Sequence, residues 1–115
     1  MTLFDERERA FENLFAHEEE LRFRALARRN DLFARWAAEQ MDLRRSERHA
    51  YIRSIVDEVL RPQSDEALVE RVRADFIAEG VDASEDRIRA AIVAAALQAA
   101  RQVQTETRAE RSEFA

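Results

Sequence analysis

Cysteine is absent from this 115-residue chain, and glycine and proline occur once each. Missing thiols exclude disulfides and thiolate metal sites, and they fit a reducing compartment. A sheet protein of this length would need many more turn residues, so the expected fold is all-α. Lysine is absent too, and every basic residue is arginine. Arginine and lysine are not interchangeable at bidentate sites, but arginine serves on most surfaces, and the bias reads as one of coding. The longest apolar run, Ala90 to Leu97, falls far short of the ~20 residues a membrane span requires, so no membrane insertion is expected. The amino terminus is acidic and lacks an apolar segment, so no signal peptide is expected and the protein reads as cytoplasmic. A net charge of −5 argues against nucleic acid as the main partner, because phosphate binding needs a concentrated basic surface.

What is present is helical. Apolar residues make up 46% and charged residues 37% of the chain, enough for one domain with one modest core. From Phe4 to about Met41 no glycine or proline interrupts, and apolar residues recur three or four apart. Asp5–Arg9, Glu18–Arg22 and Glu20–Arg24 are acid-before-arginine pairs at helical spacing, each worth ~0.3 kcal/mol. Leu21, Ala25, Leu32, Phe33, Trp36, Ala37 and Met41 make a broad apolar face. The pattern breaks at Met41 to Ser46, where Ser46 is a candidate N-cap with Glu47 in the first turn. Tyr51, Ile52, Ile55, Val56, Val59 and Leu60 line the next helix, which Pro62 must end. The loop Arg61 to Asp65 is then expected to be an exposed turn.

Ser64 or Asp65 caps the following helix, which carries Leu68, Val69, Val72, Phe76 and Ile77 inward. Gly80 stands where a left-handed residue belongs, and Val81 behind it can fold back onto Phe76. Ser84, with Glu85 and Asp86, opens a last helix whose apolar side is Ile88, Ala91, Ile92, Ala95, Ala99 and Val103. The polar residues 107–115 are expected to fray. The architecture expected is a small four-helix bundle with a mobile amino-terminal helical arm. Its core is expected to centre on Leu32, Trp36, Ile55, Val59, Val72, Phe76, Ile88 and Ile92.

Catalytic chemistry is hard to find. Histidine is the residue type that lets pH tune an interaction, but His17 and His49 lie in charged helical contexts that read as surface. The serines fall at caps, on a helix surface or in the tail. No glycine-rich loop exists to cradle phosphates. Carboxylate–histidine di-iron bundles need Glu three residues before His, whereas Leu14 precedes His17 and Ser46 precedes His49. The acids of His17 to Glu20 point around a helix rather than at one ion, so no metal site and no cofactor is expected. Trp36 and Tyr51 read as core aromatics with a wet polar tip. The chain is not expected to be an enzyme.

The arm is the unexplained part. Phe4, Phe11 and Phe15 recur at spacings of seven and four and share one helical face, with Leu14 on its flank. That face either folds back onto the bundle or inserts into a groove on another protein. Burying three phenylalanines would release ~5–9 kcal/mol gross, of which ordering a mobile arm cancels several.

The segments "FDERERAF", "LFAHEEEL", "ARRNDLFARWAAEQ" and "FIAEGVDASEDRIR" resemble the zeta subunit of the alphaproteobacterial F1Fo-ATP synthase, a family also catalogued as a domain of unknown function. The resemblance runs from about Phe4 to Glu106, with Asn30 and Trp36 among its most specific residues. It implies a non-catalytic inhibitor of ATP hydrolysis by the F1 sector, monomeric when free. Its bundle (20–106) would dock on F1 while the arm (1–19) enters a catalytic α/β interface near the rotor subunit. Phe4, Phe11 and Phe15 would then be apolar anchors, and Arg7 and Arg9 rim charges. Leu14 stands where the family often has a basic residue, while Ala34 and Asp42 stand where it has glycine. An alternative is an adaptor bundle that has lost inhibition, with the arm packed at home or in a homodimer. A weak nucleotide binder has only the arginine-rich surface in its favour.

Overall fold

A computed structural model describes residues 3–61 and 64–113. The described residues form α1 (Leu3–Leu14), α2 (Glu19–Gln40), α3 (Arg45–Val56), a 3-10 turn (Asp57–Leu60), α4 (Asp65–Ala78) and α5 (Glu85–Glu113), with no strand. The expected all-α bundle is therefore what the chain forms. Helix α2 packs chiefly on α5 and α3, α4 closes the bundle against α5, and α1 lies along α5. At 1.5 Å per residue α5 is about 44 Å long and sets the 52 Å long axis of the molecule.

The helix ends follow local chemistry. Ser64 is the N-cap of α4, its hydroxyl accepting from the Ala67 N–H at 3.2 Å; Asp65 is free for another task. Ser84 caps α5 in the same way through the Arg87 N–H. Gly80 has φ +70, and the Val81 N–H reaches the Phe76 carbonyl (2.8 Å) while the Gly80 N–H reaches that of Ile77 (3.2 Å). That is the expected Schellman closure, with Val81 packed on the core. Helix α2 ends in the same motif: Leu43 donates to Ala38 and Asp42 to Glu39, with Asp42 at φ +54. Asp42 thus takes the left-handed position that glycine fills at no steric cost.

Several expectations are corrected. No proline or glycine interrupts Phe4 to Met41, yet the helix breaks at Phe15 to Glu18 through three-residue turns. Phe15, in the break itself, is buried beside Phe11. Ser46 is not the cap of α3; Arg44 is, without a side-chain bond. Leu60 and Ile77 are exposed, at 71% and 67%. The 3-10 tightening after Val56 rotates Leu60 off the core face, and only partly buries Val59. Residues 107–113 continue α5 rather than leaving it, held by Arg28–Glu106 (2.7 Å) and Arg24–Glu110 (3.3 Å). The stop at Pro62 and the exposure of Gln63 lie outside the described residues, but Arg61 is extended (φ −116, ψ 141), as clash with a following proline ring demands.

The main core is built from Phe33, Ile55, Val69, Val72, Phe76, Ile88 and Ile92, all essentially inaccessible. Leu32 and Trp36, expected at its centre, sit at its edge, with Trp36 stacked on Phe33 at 6.0 Å and tilted against Phe76 at 5.6 Å. The tip of Tyr51, expected to be wet, is instead part-buried, and its hydroxyl donates to Asp75 at 2.8 Å. Burial and then that carboxylate push its phenol above the ordinary range. A second cluster, Phe11, Phe15, Ala25, Ala96, Ala100 and Val103, lies under α1.

Candidate functional site

The arm is docked. Phe11 (5% exposed) and Phe15 (4%) meet edge to face at 6.0 Å and fill a bed of Ala25, Ala96, Ala100 and Val103, flanked by Leu21 and Leu26. Alanines on α5 and α2 let the aromatic rings approach the helix backbones closely. Of the two placements the sequence left open, the face is thus folded back onto the bundle.

Phe4 is half-buried at the edge of the main core, with the Arg89 guanidinium 5.5 Å from its ring centroid. Arg89 is itself held by Glu66 (2.7 Å) and Glu85 (2.9 Å), so it arrives at Phe4 preset. Arg7 and Arg9 lie on the outer surface of α1, Arg7 at the mouth of a narrow crevice beside Phe11. Leu14 (51% exposed) and Leu3 (61%) point to solvent. Of the six residues singled out, the structure brings Phe11 and Phe15 together and inward, turns Phe4 partly inward, and leaves Arg7, Arg9 and Leu14 outside.

Beneath the arm sits a buried polar junction. Arg29 donates to Asp65 at 2.8 Å and, through Nε and Nη2, to the Asn30 side-chain oxygen at 3.2 and 3.0 Å. Asn30 in turn donates to the Ile55 carbonyl at 3.3 Å. Three elements, α2, α3 and the start of α4, are thereby pinned at one point, and Phe11 covers the crevice beside it. Asn30 stood out in the sequence, but Arg29 did not, since a buried arginine looks like its solvated neighbours in a string of arginines. The only advance signal was Asn30 itself, a poor helix former in mid-helix that needs a tertiary partner.

The turn between α1 and α2 is acidic. Glu19 and Glu20 occupy the first turn of α2, where the helix dipole favours them, and Glu20 pairs with Arg24 at 3.7 Å. Glu18 reaches across to Arg111 at 3.9 Å instead of pairing along its own helix. No helix among the described residues is long and apolar enough to cross a membrane.

Compared with known families, the chain matches the model described as ATPase inhibitor subunit zeta over residues 1–102. Searches of curated proteins and of solved structures gave no significant match.

Proposed function

We propose, from the premise that this chain belongs to the ATPase inhibitor subunit zeta family, that it restrains ATP hydrolysis by the F1 sector through its amino-terminal arm. As a member of that family it is a regulatory, non-catalytic protein whose partner is ATP synthase. In the mechanism proposed, α1 leaves its bed, and Phe4, Phe11 and Phe15 enter a catalytic α/β interface near the rotor as a wedge. Arg7 and Arg9 would be the charges at the rim.

The observation that carries this reading is the build of the docked arm. Two phenylalanines on a bed of small residues contribute about 3–6 kcal/mol gross, which a groove of similar apolarity on a partner can match. Against that stands the conformational entropy lost when the arm's residues are ordered. An element so balanced opens far more often than the main core does. Leu14 and Leu3, already exposed, offer a first contact before undocking. The docked state then lowers apparent affinity by the fraction of time the arm is closed.

The test uses full-length protein and purified cognate F1. Removal of residues 1–19 should abolish inhibition of ATP hydrolysis. Ala100→Phe, which overfills the bed without touching the arm, should expel α1 and strengthen inhibition. Weaker inhibition by that variant would mean that the docked position is the working one. A second reading is favoured by the same docking: α1 is a permanent fifth helix of an adaptor bundle. It predicts that truncation lowers stability by several kcal/mol and that no form of the protein slows F1.

A further inference from the structure

The start of α3 breaks three local rules at once. Arg45 has φ +54, a left-handed conformation that non-glycine residues adopt at a steric cost. The N-cap residue, Arg44, makes no side-chain cap bond. Two arginines, Arg44 and Arg45, stand at the positive end of the helix dipole; Asp42 pairs with Arg44 at 3.4 Å, and Glu47 is the one acid in the first turn. A negative charge brought to this end would offset the two arginines and suit the uncapped helix N-terminus.

The same end opens onto a groove between α2 and α3 of about 380 Å³, lined by Arg35, Arg45, Arg48, His49 and Arg53 over a floor of Ile52 and Val56. Asp31 occupies Arg35 at 2.9 Å, and Asp57 lies 3.8 Å from Arg53. Among the described residues no carboxylate pairs with Arg45 or Arg48, although acids outnumber arginines in the chain, 24 to 19. Two uncompensated guanidiniums thus flank an apolar floor.

We infer that this groove receives an acidic segment of the protein partner, its carboxylates on Arg45 and Arg48 and an apolar side chain on Ile52 and Val56. The identity of the partner as F1 rests on the inhibitor reading above. The apolar floor favours a protein segment over free phosphate, and the chain's net charge of −5 disfavours a long polyanion. The groove lies on α2 and α3, whereas the arm's bed lies on α2 and α5, so both contacts can be made together. The arm would supply the block and the groove the anchorage.

The full chain and two variants, Arg45→Gly and Arg48→Glu, are to be titrated onto immobilised cognate F1 at two salt concentrations, with thermal melts in parallel. Arg45→Gly should melt about 2 °C higher, because strain is relieved, yet bind F1 about tenfold more weakly. Arg48→Glu should melt within about 2 °C of the parent, bind at least about tenfold more weakly, and lose most of the salt dependence. A structural role alone would not move stability and affinity in opposite directions. If both variants bind F1 as the parent does, the groove proposal fails and the inhibitor reading stands. If the parent itself does not bind F1, both fall. Binding to phosphatidylglycerol vesicles or to ATP that Arg48→Glu abolishes, with F1 binding unchanged, would also overturn the proposal in favour of that ligand.

Discussion

Helix α5 serves two clusters with one face, and the clusters differ in how they are closed. Its amino-terminal half presents Ile88 and Ile92 to a core sealed by large side chains from α2, α3 and α4. Its carboxy-terminal half presents Ala96, Ala100 and Val103 to two phenylalanines, Phe11 of the short helix α1 and Phe15 just beyond its end. In the first, removing any one element leaves the others in contact. In the second, removing α1 removes the lid. The difference teaches that burial alone does not measure how firmly a residue is held. Phe11 and Phe76 are both buried, but only Phe76 is enclosed by elements that hold one another.

The comparison can be broken at its strong side first. Phe76→Ala should cost about 3–5 kcal/mol in chemical denaturation, as deletion of a fully enclosed ring does. Arg29→Leu should follow at about 3 kcal/mol, because it strands Asp65 and the Asn30 oxygen beneath the arm. A cost under half of that would show the junction to be better solvated than its 8% and 16% side-chain exposures imply. Phe11→Ala should cost only about 1–2 kcal/mol globally, because the loss is capped by the free energy of docking α1. It should appear mainly as faster amide exchange in α1. Equal costs for Phe11→Ala and Phe76→Ala would make the two clusters one cooperative unit and end the comparison.

Smaller effects sharpen it. Asp42→Gly should stabilise the protein by about 0.5–1 kcal/mol, since glycine adopts the left-handed turn after α2 without strain. Loss of stability would mean that the Asp42 carboxylate near Arg44 (3.4 Å) outweighs the strain. The smallest effect belongs to the far end of α5. The hydrogen bond from Arg28 holds the Glu106 carboxyl below its ordinary value, so its contribution is present above the unfolded pKa of about 4.3 and lost as pH falls below it. The pair is part-exposed, so the loss should be confined to faster exchange in the last turns of α5 in acid. Uniform exchange there from neutral pH down through the acid range well below about 4.3, after correction for the intrinsic rate, would remove Glu106 as a fastener.

Much of this was legible in the sequence because the signals were local. Ser64, Ser84 and Gly80 act at their own helix ends, and periodicity put Phe4, Phe11 and Phe15 on one face. What covers that face is a tertiary question, and seven- and four-residue spacings read alike for a home bed and a partner's groove. The break at Phe15 carries no glycine or proline, so no local signal announces it. Leu60 and Ile77 were misread for a related reason: a half-turn of 3-10 helix, or one residue past the core's edge, turns an apolar side chain outward with no mark in the sequence. Residues 107–113 read as a tail because their partners, Arg24 for Glu110 and Glu18 for Arg111, lie far away in the sequence.

Trp36, the chain's single tryptophan, rests on Phe33 and Phe76 in the main core, whereas the arm cluster has only phenylalanine for a chromophore. The molecule's fluorescence is therefore blind to its own arm. Emission on heating or titration follows α2 and α4, while far-ultraviolet circular dichroism also counts the twelve residues of α1. If α1 leaves and melts before the rest, ellipticity falls while emission holds, and two curves that coincide in a two-state protein separate. The gap between them is an optical readout of the arm that needs no label, no partner and no mutation.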